Sequence, residues 1–120
     1  VTDETKAMVT NNICYLLNNF LKCSAYESII FCWVMHEQSI IDSILEKLDT
    51  QNCEVKCVSL IADENTLRER LSADVEKGIR SEDVIERSIA RIPMYQALGT
   101  IKIDTKGKAV AVIANEIKRL

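Results

Sequence analysis

The spacing of apolar residues changes period several times along the chain, and each change marks an element. After Thr2, the residues Ala7, Met8, Ile13, Leu16, Leu17, Phe20 and Leu21 recur at helical spacing, which predicts an amphipathic helix ending near Leu21. Thr2 is placed to cap this helix, and Asp3 and Glu4 occupy the first turn, where negative charge complements the helix dipole. After a short polar stretch, Ile29 to Met35 is continuously apolar rather than alternating. Such a run predicts a strand over about 29–35 that is buried on both faces. Ile40, Ile41, Ile44, Leu45 and Leu48 then return to the helical period, with Ser39 and Asp42 spaced as a weak capping box.

A second strand is predicted over about 55–61, where Val55, Val58, Leu60 and Ile61 cluster. Asp63 is positioned to cap a helix from about Glu64 to Lys77, which Gly78 closes at the first residue beyond its end. Ser81 is the expected cap of the next helix. Its stripe of Val84, Ile85, Ile89, Ile92 and Leu98 is kinked by Pro93 and closed by Gly99. A third strand is predicted over about 100–104, then a turn at Lys106-Gly107-Lys108, then a final helix carrying Val110, Ile113, Ile117 and Leu120. Strands alternating with helices imply crossover connections. The expected fold is therefore α/β, a three-stranded parallel sheet between layers of helices, in one domain over 1–120. Parallel sheets bind ligands at the carboxyl ends of their strands.

Composition narrows the chemistry. The chain has 120 residues, 48% of them apolar and 28% charged, with a net charge of -3, as expected of a globular domain. The longest apolar run has seven residues, against the roughly 20 that a membrane helix needs, so no membrane partner is expected. Fifteen basic against eighteen acidic residues leave no basic excess, so no nucleic-acid partner is expected either. The five cysteines include no C-x-x-C pair, and no histidine cluster accompanies them, so no metal site is expected. Cys14 and Cys32 fall inside apolar stretches, where thiols act as small hydrophobes, which points to the reducing cytoplasm. Only Gly78, Gly99 and Gly107 are available, and no Lys precedes a Ser or Thr. A Walker A loop and a dinucleotide fingerprint are both excluded within these residues.

Arginine is the residue type with an uneven distribution. Arg68, Arg70, Arg80, Arg87 and Arg91 fall within one stretch, and only Arg119 lies elsewhere. Guanidinium binds phosphate through paired hydrogen bonds, so Arg80, Arg87 and Arg91 are candidates to converge on one anion. The competing reading is of surface ion pairs, because Glu64 and Arg68, Glu76 and Arg80, and Asp83 and Arg87 are each four residues apart. His36, the single histidine, follows the first predicted strand, and Trp33 lies within it.

From Ile29 onward the pattern resembles the P-loop kinases of small molecules and nucleotides, the group around shikimate, gluconate and adenylate kinases. The resemblance rests on Trp33-Val34-Met35-His36, on Leu67-Arg68-Glu69-Arg70-Leu71 after the second strand, on Asp83 to Arg91, and on Thr100 to Thr105. It implies a helical lid over about 64–98, with Arg80, Arg87 and Arg91 as catalytic residues at the transferred phosphate. It implies ATP contacts at Arg68, Asp104, Thr105 and Lys106, and a small-molecule phosphoryl acceptor near Trp33 and His36. The cofactors of the complete kinase would be ATP and magnesium, with neither bound to this chain alone. These kinases begin with a strand and a Walker A loop, which have no counterpart from Val1 onward.

The expected function is thus that of the C-terminal part of an ATP-dependent phosphotransferase, inactive as an isolated chain. In that family's strand order the first strand lies between the two represented here at 29–35 and 55–61. Its absence leaves two open edges, which predict a homo-oligomer or strand-swapped dimer. The alternative is a non-catalytic α/β module serving assembly or regulation. A flavodoxin-like or receiver-like domain would explain the alternation of elements but not the clustered arginines.

Overall fold

The computed structural model describes residues 1–120, which form two compact units, Val1–Val55 and Lys56–Leu120. The first unit is built on α1 (Asp3–Lys22) and α2 (Gln38–Leu45). Thr2 caps α1 as its spacing predicts. The Thr2 hydroxyl accepts from Thr5 N–H at 3.2 Å, and Thr2 N–H donates to the Thr5 hydroxyl at 2.9 Å, so two otherwise orphaned donors are satisfied reciprocally. Helix α2 begins two residues earlier than the Ser39 box requires, with Glu37 at the N-cap position. The Gln38 amide, not Ser39, bonds Asp42 at 3.0 Å, and no side chain caps the helix.

Cys14, Leu17 and Ile44 form the buried centre of this unit, and Ile13, Met35, Ile40 and Leu48 pack around it. Asn18 ties the chain beyond α2 to α1, donating to the Lys47 carbonyl at 2.8 Å and accepting from Asp49 N–H at 2.9 Å. Much of the stripe on α1 nevertheless faces water, including Met8, Leu16 and Phe20.

The strand predicted over 29–35 is not formed. Its residues join no sheet, and they are mostly exposed, with Ile30 at 91%. The Phe31 and Trp33 rings lie 6.4 Å apart, as expected for i, i+2 neighbours on one side of an extended chain. A continuous apolar run sets where a segment would prefer to be, but its ladder bonds must come from a neighbouring strand, and none pairs with it. Cys32, read as a core thiol, is exposed for the same reason, whereas Cys14 is buried.

The second unit carries β1 (Val58–Ile61), α3 (Glu64–Glu76), α4 (Val84–Ala90), α5 (Ile92–Gln96), β2 (Ile101–Asp104) and α6 (Val110–Lys118). β1 and β2 pair in parallel, with Val58 opposite Ile101 and Ile61 opposite Asp104. The fold is mixed α/β, but its sheet has two strands rather than three, and β1 is shorter than the predicted 55–61. Leu71, Val84, Leu98 and Ile103 are the buried apolar residues of this unit. Between the strands, the Ser59 and Thr100 hydroxyls bond each other at 2.6 Å.

Helix α3 starts at Asp63, whose carboxylate accepts from Thr66 N–H at 2.7 Å. It ends in a Schellman motif: Ile79 N–H bonds the Asp74 carbonyl, Gly78 N–H bonds the Val75 carbonyl, and Gly78 has φ +72°. Pro93 does more than kink the next helix. It sits in the first turn of α5, where its missing N–H is tolerated, and the chain breaks at Arg91 into two helices. The predicted cap at Ser81 is displaced to Asp83, to which the Ser81 hydroxyl donates. No helix is long and apolar enough to cross a membrane.

Candidate functional site

The parallel strands bring their carboxyl ends together, and the most constrained polar cluster of the second unit lies there. Thr105, the first residue beyond β2, is buried. Its N–H and its hydroxyl both donate to the Ile61 carbonyl, each at 2.9 Å. Arg70 of α3 grips the same residue with two guanidinium nitrogens, donating to the Thr105 hydroxyl and to the Thr105 carbonyl, each at 2.8 Å. The next residue, Lys106, reaches the Asp63 carboxylate at 2.9 Å, and Lys106 N–H donates to the Asp104 carboxylate at 2.9 Å. Gly107 has φ +67°, which turns the chain toward α6.

These contacts fix the ionisation of the cluster. The hydrogen bond from Thr66 N–H, reinforced by the Lys106 ammonium, holds the Asp63 carboxyl well below the usual carboxylate range. Asp63 in turn raises Lys106. The outcome is a hydrogen-bonded, charged rim at the position where parallel sheets place ligands. Asp104, Thr105 and Lys106, expected from the resemblance to contact ATP, lie on this rim.

The arginines are distributed differently. Arg68 joins α3 to α4, bonding Glu86 at 2.7 Å and Glu64 at 3.0 Å, and both carboxylates raise its pKa, Glu86 the more. Its guanidinium is therefore committed to a bridge between helices rather than to the strand ends. Arg80 pairs with Asp74 at 3.3 Å, and Arg87 with Asp83 at 3.4 Å. The Ser81 hydroxyl, and secondarily Arg87, hold Asp83 below its ordinary value. Of the expected pairs, Glu64 with Arg68 and Asp83 with Arg87 form, whereas Arg80 chooses Asp74 over Glu76. Arg80, Arg87 and Arg91 share no common partner. Arg91 is half-buried at the break between α4 and α5 and forms no ion pair.

Trp33 and His36 belong to the first unit. Trp33 is exposed, and His36 Nε2 lies 3.4 Å from the Glu37 carboxylate, while His36 Nδ1 is buried without a hydrogen-bond partner. No group of three or more His, Cys, Asp or Glu residues is assembled in a way that could hold a metal ion. Arg70 and Asp63 are the two participants that sequence reasoning missed. A signal existed: Arg70 lies seven residues, or about two helical turns, beyond Asp63, so both face the same side of α3. Neither a family model, a curated protein nor a solved structure matches this chain.

Proposed function

We propose that this chain is the C-terminal portion of an ATP-dependent P-loop kinase acting on a nucleotide, nucleoside or other small hydroxyl compound. The observation that carries the reading is the carboxyl end of the parallel pair, where Arg70, Thr105, Lys106 and Asp63 form one ordered polar rim. In this reading Asp104, Thr105 and Lys106 stand on the base side of the nucleotide. The stretch α3 to α5 acts as the lid, and Arg80, Arg87 and Arg91 contribute positive charge to the transferred phosphate. Arg91 is the best suited of the three, because no carboxylate has to be displaced from it.

The residues present do not by themselves fit a triphosphate or magnesium. Gly78 ends a helix and Gly107 makes a turn, so neither contributes to a phosphate cradle. That fact favours the second reading, a non-catalytic oligomeric module with its arginines spent on surface ion pairs.

Titration calorimetry with MgATP separates the two when run on this chain and on a longer one that includes the residues encoded upstream of Val1. The kinase reading expects binding by the longer chain, and an Arg91→Ala substitution that lowers its turnover more than Arg87→Ala does. A longer chain that binds no MgATP refutes it.

A further inference from the structure

The two edges of the sheet in the second unit differ in chemistry. On β2, the residues facing away from β1 include Lys102 and Asp104. The Lys102 ammonium folds back onto the Leu98 and Thr100 carbonyls, and Lys108 with Glu116 and Arg119 lines the adjoining groove of about 350 Å3. Charges of this kind guard an edge against further pairing. On β1 the carbonyls of Cys57 and Ile61 accept from Ile101 and Thr105, so alternation turns the N–H and C=O groups of Val58 and Leu60 to the opposite edge. No backbone partner meets them there. Val58 to Ala62 contains no charged residue, and Leu60 is 54% exposed.

The first unit presents the complementary deficiency. Ile29 to Met35 holds seven apolar residues without a charge, belongs to no sheet and is exposed through most of its length. Its exposure alternates, with Ile30 and Val34 barer than Phe31 and Trp33, which is the two-sided habit of a strand. Each molecule therefore carries one unguarded strand edge and one strand-like segment without a ladder. We infer that the 29–35 segment of one copy adds to the outer edge of β1 in a second copy, reciprocally, giving a closed two-fold dimer. Both deficiencies are met at once, and because the two-fold exchange uses the donor and the acceptor of each copy, association closes at two rather than propagating into a fibre. This holds whichever function the chain performs.

Light scattering coupled to size exclusion should give twice the chain mass of 13.6 kDa. Ile30→Lys places a charge in the donor segment at a position bare in the single chain, and should leave its helical circular dichroism intact. Leu60→Pro removes an outward N–H from the acceptor edge without touching a bond to β2. Each should weaken dimerisation at least about tenfold. Mixed in equal amounts, the two monomeric variants should re-associate, because one retains the donor and the other the acceptor. That complementation separates loss of pairing from loss of folding. A monomeric unmodified chain at millimolar concentration would overturn the inference, as would dimers indifferent to both substitutions or variants that fail to complement.

Discussion

Arg70 offers the sharpest test of how the strand ends are held. Replacing it with Ala deletes two charge-assisted hydrogen bonds to Thr105, a residue only 6% exposed. A hydrogen bond to a charged group contributes about 1.5–3 kcal/mol, but the Arg70 side chain itself reaches solvent and part of this is recovered by hydration. The Thr105 hydroxyl also keeps its bond to the Ile61 carbonyl. The expected cost is therefore about 2 kcal/mol in all. Thr105→Val removes the hydroxyl while leaving the carbonyl bond to Arg70, so the two substitutions share one of the two contacts. Their double-mutant cycle should show a coupling of about 1 kcal/mol. Urea unfolding followed by far-ultraviolet circular dichroism measures all four states, with Arg70→Lys expected to recover part of the loss. If Arg70→Ala costs under about 0.5 kcal/mol, or the cycle is additive within about 0.3 kcal/mol, the clamp is not an energetic feature of the fold.

Three further outcomes are expected. Gly78→Ala should destabilise by about 1 kcal/mol in the same assay, because nothing crowds the new methyl group and the cost is that of a left-handed backbone alone; an unchanged midpoint contradicts the Schellman ending of α3. Ile44→Ala, which opens the buried centre between α1 and α2, should cost about 2–4 kcal/mol, and a loss below about 1 kcal/mol would mean that this core is not packed as described. For the Asp63–Lys106 pair the signs run in opposite directions. The depressed carboxyl adds stability above about pH 4 that fades as pH falls, and the raised ammonium adds stability that fades as pH rises beyond about 10.5. Asp63→Asn should therefore flatten the acid limb of a stability–pH curve; an acid limb identical to that of the unsubstituted chain removes the pair from the account.

Elements whose ends are fixed by local chemistry were legible in the sequence. Thr2 with Asp3 and Glu4 marks the start of α1, Asp63 the start of α3, and Gly78 its end, because a cap or a positive φ is decided by a few adjacent atoms. The parallel pairing of β1 with β2 was legible from the alternation of elements. The segment 29–35 was not, because burial on two faces and a hydrogen-bonded ladder are supplied by other parts of a structure. At the site, Asp104, Thr105 and Lys106 emerged from resemblance, but the contacts that order them did not. Asp63 reads in sequence as a cap and nothing more, and Arg70 as one arginine among five. Their second partners, Lys106 and Thr105, lie far along the chain, and only the closure of the sheet brings them within reach.

The position of Trp33 gives the molecule a built-in optical reporter. It is the single tryptophan, it lies in the unpaired segment, and it is 43% exposed. In the dissociated chain its emission should therefore be red-shifted and accessible to quenchers, and it should move toward the blue as 29–35 is covered on dimerisation. The second unit contains no tryptophan and only Tyr95 as an aromatic side chain, so its unfolding leaves the indole signal of the first unit as an independent channel. Fluorescence and circular dichroism need not trace one curve in this protein, and the interval between them measures how far the two units melt apart.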